Sequence, residues 1–336
     1  MTRYSAIAAA LVLASAASAA SAAAQDIASR VRQVGNGTVR LTFASRPGVC
    51  GDGESYISTR GLSDDGRGRT IFRDYRGSYS ITTGSSDYDN FRDCEEGPLR
   101  VALQVSGGQV TEIRTYVGKS WGRDDAMQVS ARSAAAYLLQ LAESNTTRAG
   151  KGVFTPIILA DSVEPAPDLV RLAKNRSVPR ETRKSAIFWA GQIGDASIIR
   201  EISSLIRDED QEVGKSALFA ISQQKNDDAA RALITAARDK SLSSEVRKSA
   251  VFWLGQTASD RATEGLKDMI SDENTEVKKS AVFALSQMKT DKSLNALIDI
   301  ARNSKDREVR KSALFWLGQS SDPRALALFE EILLKN

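Results

Sequence analysis

Chemistry needs groups that exchange protons, attack an electrophile or hold a metal, and this chain is sparing with them. It has no histidine among its 336 residues, which removes Ser-His-Asp and Cys-His catalysis and the usual zinc sites together. Its two cysteines, Cys50 and Cys94, have no further soft ligand nearby. Such an even pair is expected to form one disulfide rather than a redox or metal site. Carboxylates remain. The stretches "GVCGDGESY" (48–56) and "SDYDNFRDCEE" (86–96) gather Asp52, Glu54, Asp87, Asp89, Asp93, Glu95 and Glu96 around those cysteines. Acids at alternating positions suit calcium, yet the spacing lacks the glycine and closing glutamate of a calcium loop. Two of them could act as acid and base on a sugar, but nothing in the spacing fixes their separation. Solvated loops, balanced by Arg67, Arg69, Arg73 and Arg76, are the expected state. No metal or cofactor is expected.

A second pattern is far more regular. "KSAIFWAGQ" (184–192), "KSALFAISQ" (215–223), "KSAVFWLGQ" (248–256), "KSAVFALSQ" (279–287) and "KSALFWLGQ" (311–319) repeat one phrase. On a helix at about 100° per residue, with Val246 as zero, Ala250, Trp253 and Leu254 fall within about 80° and form the expected buried side. Lys248, Phe252 and Gln256 lie at about 200°, 240° and 280°. The same stripe recurs as Lys184-Phe188-Gln192, Lys215-Phe219-Gln223, Lys279-Phe283-Gln287 and Lys311-Phe315-Gln319.

Two fates are open to these phenylalanines. Each either packs against a flanking helix, with its glutamine bonded to a loop, or stands in a row on an exposed face. An exposed row would be an apolar patch of the kind that marks a partner site, and lysine one turn away suits cation–π contact. On that reading the partner-binding set is Phe188, Phe219, Phe252, Phe283 and Phe315, with Lys215, Lys248, Lys279, Gln223, Gln256 and Gln287. Trp189, Trp253 and Trp316 alternate with Ala220 and Ala284, while Gly191, Gly255 and Gly318 alternate with Ser222 and Ser286. Interlocking neighbours require such alternation of large and small, so tryptophan is expected to pack between repeats.

The elements that must position this stripe follow from its period. The Ser-Ala of the phrase falls at 185, 216, 249, 280 and 312, and a step of this size holds two helices and two turns. Asp210, Ser243, Asn274 and Asp306 are good N-cap types ahead of each phrase. Glu181, Glu212, Glu245, Glu276 and Glu308 suit the positive end of the helix dipole. Asp195, Asp227, Asp260, Asp291 and Asp322 are expected to cap a second helix in each repeat. A weaker copy, "RSAAAYLLQ" (132–140), marks a degenerate opening repeat.

The pattern V-R-x-S/A-A-x-x-x-L-G, with an acidic turn before it and Asp plus a second helix after it, resembles the bacterial HEAT repeat, the subtype also found in phycobilisome lyases. The resemblance covers about residues 125–336 and implies an α-solenoid that binds other proteins; a fold does not carry a chemistry with it. Where the family commonly has a polar residue, often glutamate, this chain has the phenylalanine of the stripe. The resemblance also implies a structural role for Arg183, Arg247 and Arg310, tying adjacent loops to aspartates, with Gly214 breaking the series.

The rest of the chain reads differently. Residues 1–24 have a basic start, an apolar middle and small residues before an expected cleavage after Ala24, the pattern of a signal peptide. Residues 25–119 carry short alternating runs at 38–45, 55–60 and 79–84, and a hairpin over 100–117 about Gly107-Gly108. The expected fold class is therefore α+β: a small, mostly β domain (25–119) closed by Cys50–Cys94, then an opening repeat and connector (120–165). A solenoid of five helix pairs plus a C-terminal capping helix follows (166–336). With 46 basic against 42 acidic residues, interspersed, there is no polyanion stripe, and nucleic acid is not an expected partner.

The expected function is a non-enzymatic binding or scaffold protein of the cell envelope, periplasmic or secreted, with no membrane insertion once the leader is removed. It would engage a protein or peptide on the concave face of the solenoid. The alternative is a hydrolase or carbohydrate-binding protein that uses the acidic loops. A maturation role like that of the phycobilisome lyases sits poorly with export.

Overall fold

The computed structural model describes residues 20, 22–54, 56–59, 69–73, 79–83, 94–118, 125–144, 149–193, 197–224, 226–257 and 259–334, without the side chains of 69–73, 79–83 and 151. Most of the expected leader, Arg67, Arg76, Asp87, Asp89, Asp93 and Asp195 lie outside them. The chain divides into two compact units, residues 1–189 and 190–336.

The first unit opens with a helix over residues 22–34 (α1). It buries Ala24, Ile27 and Val31, a helical spacing. Strand β1 (Gly37–Phe43) pairs antiparallel with β7 (Leu99–Ser106), which pairs with β8 (Gln109–Tyr116). The short β9 (Met127–Gln128) adds parallel to β1. The expected β7–β8 hairpin turns at Gly107 and Gly108, with φ of 59° and 73°. Two successive positive φ values are what a two-residue hairpin of matching twist requires. In β7 Leu99, Val101, Leu103 and Val105 are all buried, the period-2 face of a strand.

A second antiparallel sheet has the order β5-β4-β3-β2-β6, from β2 (Val49–Gly51), β3 (Tyr56–Thr59), β4 (Arg69–Arg73), β5 (Tyr79–Thr83) and β6 (Glu95–Glu96). Cys50 and Cys94 form the expected disulfide beside β2 and β6. Gly118, with φ of 91°, lies so close to β2 that a Cβ there would sit 2.2 Å from the Gly51 carbonyl oxygen. Helices α2 (Ala131–Ser144), α3 (Ala149–Gly152), α4 (Phe154–Leu159), α5 (Pro165–Lys174) and α6 (Arg180–Ile193) follow. Helix α2 is the "RSAAAYLLQ" copy, and it buries Ala134, Leu138 and Ala142 along one stripe.

The second unit starts in the last turn of α6 and continues as helix pairs. The motif helices are α8 (Gln211–Ser222), α10 (Ser244–Gln256), α12 (Thr275–Gln287) and α14 (Arg307–Gly318). The second helices are α7 (Ile198–Ser203, extended by a 3-10 turn over Ser204–Arg207), α9 (Asp227–Arg238), α11 (Asp260–Met269), α13 (Asp291–Asn303) and α15 (Pro323–Leu334). Each motif helix sends three residues into the shared core at i, i+4 and i+8, such as Val246, Ala250 and Leu254, or Val277, Ala281 and Leu285. Leu233, Leu266, Leu297 and Leu328 meet them from the second helices.

Capping explains where these helices begin. The side chains of Asp210, Ser243, Asn274 and Asp306 accept backbone N–H bonds at the starts of α8, α10, α12 and α14, as the sequence predicts. Asp322 stands directly before α15 as expected and accepts from the Arg324 N–H at 2.9 Å, but for α9, α11 and α13 the expectation shifts by one residue. Asn226, Ser259 and Thr290 are the caps, and Asp227, Asp260 and Asp291 are the first helical residues. Those aspartates instead reach the next repeat, pairing with Arg261 (3.3 Å), Lys292 (2.5 Å) and Arg324 (2.7 Å). Within this unit the motif helices approach one another more closely than the second helices do.

Candidate functional site

The repeated phrase splits by repeat type. A motif helix with tryptophan at the sixth position of the phrase, α10 or α14, follows one with alanine there, α8 or α12. That position faces backward, toward the preceding repeat. Trp253 therefore lies over Phe219, with ring centroids 4.9 Å apart, and Trp316 over Phe283, at 5.0 Å. Each tryptophan also meets the phenylalanine of its own helix edge to face: Phe252–Trp253 at 4.9 Å and 75°, Phe315–Trp316 at 5.0 Å and 81°.

The fate of the stripe therefore alternates. Phe219 and Phe283 are half-buried beneath the next repeat's tryptophan. Phe252 is 40% exposed, because the next repeat offers only Ala284, and Phe315 is 58% exposed. In the first unit Phe188 is half-buried, at 5.2 Å from Trp189. The wheel reading of tryptophan as simply buried needs correction in the second unit. Trp253 and Trp316 do join repeats, but they remain half-exposed and complete two aromatic triplets with the phenylalanines. The sequence signal for this was the strict Trp/Ala alternation, since a tryptophan that faces only a phenylalanine cannot be fully enclosed.

The complementary forward-facing position is tuned to match. A Cβ on Gly191 would lie 2.8 Å from that of Ala220, and one on Gly255 2.8 Å from that of Ala284. Glycine is needed wherever the next repeat carries alanine and the backbones close in. Repeats followed by tryptophan have Ser222 and Ser286 there, whose hydroxyls donate to the Phe219 and Phe283 carbonyls at 2.7 Å.

The polar members of the stripe are largely engaged at home. Lys215 pairs with Glu212 (3.0 Å), Lys248 with Glu245 (2.8 Å) and Lys279 with Glu276 (3.7 Å), each one turn back along its own helix. The hydrogen bond that Lys248 donates to Glu245 raises the lysine pKa and lowers that of the glutamate. Gln223 and Gln287 donate to the neighbouring Ser222 and Ser286 hydroxyls at 3.4 and 3.2 Å, while Gln256 is exposed. The rim of the aromatic row is thus polar, with Lys215, Lys248 and Lys279 each paired to a glutamate and Lys311 exposed beside Phe315.

In the arginine series Arg247 ties a loop to an aspartate as the resemblance implies, while Arg310 donates to the Ser304 carbonyl at 2.8 Å. Arg247 Nε donates to the Ala237 carbonyl at 2.9 Å, and its guanidinium pairs with Asp272, both side chains below a tenth exposed. Arg183 makes the same carbonyl contact, to Ala173 at 2.7 Å. Lys278 replaces arginine in α12 and reaches Asp306 at 2.5 Å. At Gly214 a Cβ would lie 2.7 Å from the Ile206 carbonyl oxygen, which accounts for the break.

The acidic loops do not assemble a centre among the described residues. Asp52 accepts bonds from the backbone N–H groups of Glu54 (2.9 Å) and Tyr56 (3.0 Å), closing its own turn. Glu54, Glu95 and Glu96 are exposed, and no three His, Cys, Asp or Glu described here could hold a metal ion. Open grooves of about 600 and 630 Å³ lie elsewhere, the first lined by Arg132, Leu139, Glu143 and Arg171, the second by Lys267, Lys278, Asp299 and Asp306. No described helix is long and apolar enough to cross a membrane.

Comparison with known families decides the kinship. The HEAT repeats model matches residues 166–243 and 240–317, and the PBS lyase HEAT-like repeat matches 309–335. The chain is a HEAT-repeat protein. None of the curated proteins compared with this HEAT protein matches it. Among solved structures it is similar to the complex of CpcE and CpcF of phycocyanin lyase from Nostoc sp., at 16% identity over 60% of this chain and 80% of that one, TM-score 0.34. It is also similar to a designed armadillo repeat protein in complex with the peptide (KR)4, at 24% identity over 56% and 91%, TM-score 0.29. A third is human deoxyhypusine hydroxylase in complex with glycerol, at 18% identity over 59% and 85%, TM-score 0.26. At these scores nothing about activity is drawn from them.

Proposed function

We propose that this HEAT-repeat protein is a non-catalytic binding or scaffold protein of the cell envelope that holds a protein or peptide partner against its motif helices. The observation that carries the reading is the exposure of Phe252 and Phe315, 40% and 58%, on the motif helices of the second unit. Large apolar side chains aligned on one exposed face, ringed by polar groups, are the signature of a partner surface. Phe219 and Phe283, with Trp253 and Trp316, form its half-buried floor, and Phe188 holds the corresponding place of the repeated phrase in the first unit. Lys215, Lys248, Lys279, Gln223, Gln256 and Gln287 make the rim. The Cys50–Cys94 disulfide supports an oxidising compartment, periplasmic or secreted, as does the leader-like start.

The test separates folding from binding. Phe252→Glu with Phe315→Glu leaves the floor intact, so the unfolding transition should stay within about 1 kcal/mol of the unaltered protein. Partner capture from an envelope fraction should be lost. Unchanged capture by this folded variant sinks the reading. Cell fractionation and the N-terminal residue of the mature protein check the envelope assignment.

A further inference from the structure

We infer that the α14–α15 end of the array is a self-association face, on which a second copy of this chain docks across a two-fold axis and closes a dimer. The face is half of a repeat joint. In α8, α10 and α12 the fourth residue of the phrase, Leu218, Val251 or Val282, is fully buried, whereas Leu314 of α14 is half-buried and Gly318, the counterpart of Gly255, is exposed. Helix α15 continues the face. With Leu328 as zero at about 100° per residue, Phe329, Leu333 and Leu326 fall at about 100°, 140° and 160°. That side looks toward the place of a following repeat. Ile234, the counterpart of Phe329 in α9, packs there onto Gly265 of α11, while Glu331, at about 300°, reaches back to Arg302.

The residue types on this side are those of an interface rather than of a cap. A terminal repeat keeps an array soluble by turning a polar face to water. Here it is the internal helices that are polar: the places of Leu326 and Leu333 are held by Arg231 and Arg238 in α9, Glu264 and Ser271 in α11, and Asn295 and Arg302 in α13. Leu326 and Leu333 are 62% and 76% exposed. The shape and charge of the face match themselves. Helix α14 supplies a small side, Leu314 and Gly318, and α15 a large one, so α15 of each protomer laid on α14 of the other sets ridge into hollow. Lys311 of α14 and Glu330 of α15 are exposed and take part in no ion pair among the described residues, and the same crossing brings them together between protomers. A patch that is its own complement closes a two-fold dimer. Stacking end to start, which would give an open filament, has no receiving face, because Ala220 of α8 is already buried against Gly191.

The experiment is sedimentation velocity on the intact chain over about a hundredfold range of concentration, where a reversible monomer–dimer equilibrium is expected. Leu326→Arg with Leu333→Arg gives α15 the kind of residue that the internal helices carry there, and should weaken dimerisation more than about tenfold. Both side chains are exposed, so circular dichroism should show the same cooperative unfolding for this variant. Lys311→Glu should weaken the dimer about fivefold, and adding Glu330→Lys should restore it. Phe252→Glu, in the aromatic row, should leave it unchanged, which separates self-association from the partner surface proposed above. A chain that stays monomeric overturns the inference and leaves the face to a different protein. A dimer indifferent to the paired arginines, or an open-ended assembly, overturns it too, and failure of the exchanged charges to restore the dimer overturns the crossed arrangement.

Discussion

Gly255 meets Ala284 across the joint between α10 and α12: a Cβ built on the glycine would lie 2.8 Å from the Ala284 Cβ and 3.1 Å from its Cα. Gly318 occupies the same place in α14, and there the nearest atom to a built Cβ is Phe329 Cζ at 3.8 Å. Gly255→Ala should therefore force two helices apart and cost about 1–3 kcal/mol. Gly318→Ala should be neutral, or stabilise by up to about 1 kcal/mol through helix propensity. Urea unfolding of the two variants side by side checks the contrast. Equal effects would mean that the joint is not close-packed.

The buried Arg247–Asp272 pair is the second place where one substitution should matter. Removing only the carboxylate, as in Asp272→Ala, strands a guanidinium that is almost fully enclosed, at a cost of about 3–5 kcal/mol. Replacing both partners with apolar residues, Arg247→Met with Asp272→Leu, should recover most of that loss. A double variant no more stable than the single one would contradict this account.

Acid should loosen the second unit through its paired carboxylates. Arg324, by its side-chain hydrogen bond first and its backbone N–H second, holds Asp322 down to about 2. At Asp306 the hydrogen bond from Lys278 leads the lowering. At Asp272 burial pushes upward most strongly, but the hydrogen bonds and charge of Arg247 and the Asn274 N–H outweigh it, and the net direction is down. A carboxylate lowered in the folded state contributes stability that is present above its unfolded pKa, about 4, and is lost as pH falls through the folded value. Unfolding followed by circular dichroism should therefore show stability declining from about pH 4 toward pH 2. Carbon-detected NMR should find Asp322 titrating near 2, and Arg324→Gln should move it up toward the ordinary aspartate range.

Lys289, two residues beyond α12, has φ of 49°, a left-handed conformation that L side chains adopt at a cost. Lys289→Gly should raise stability by about 0.5 kcal/mol, the relief of that conformation offset by the glycine's freedom in the unfolded chain. Differential scanning calorimetry reads it as a small rise in Tm. A fall would mean that the lysine side chain makes contacts worth more than the strain.

Much of this was legible in the sequence because it repeats. The positions of α8, α10, α12 and α14, their caps and the hairpin at Gly107-Gly108 follow from period, cap chemistry and turn residues, all local properties. The caps of α9, α11 and α13 were misplaced by one residue because Asn226, Ser259 and Thr290 stand directly before an aspartate that is an equally good cap on paper. Tertiary ion pairs with Arg261, Lys292 and Arg324 draw those aspartates away. Strands β4 and β6 were not legible, since neither carries a clear apolar alternation and both depend on neighbours for pairing. The wheel gave the angle of Phe252 and Phe315 but not their exposure. Exposure depends on what the following repeat carries at one position, a fact held some thirty residues away.

The alternation of Trp253 with Ala284, and of Gly255 with Ser222, gives the array a parity. Excising α10 and α11 would set Ser222 against Ala284, where only glycine fits, and would leave Phe219 without its covering tryptophan. Excising α12 and α13 would drive Trp316 into Gly255. An array built on this rule tolerates gain or loss of repeats in even numbers, and a deletion of one repeat damages a joint that neither neighbour can mend alone.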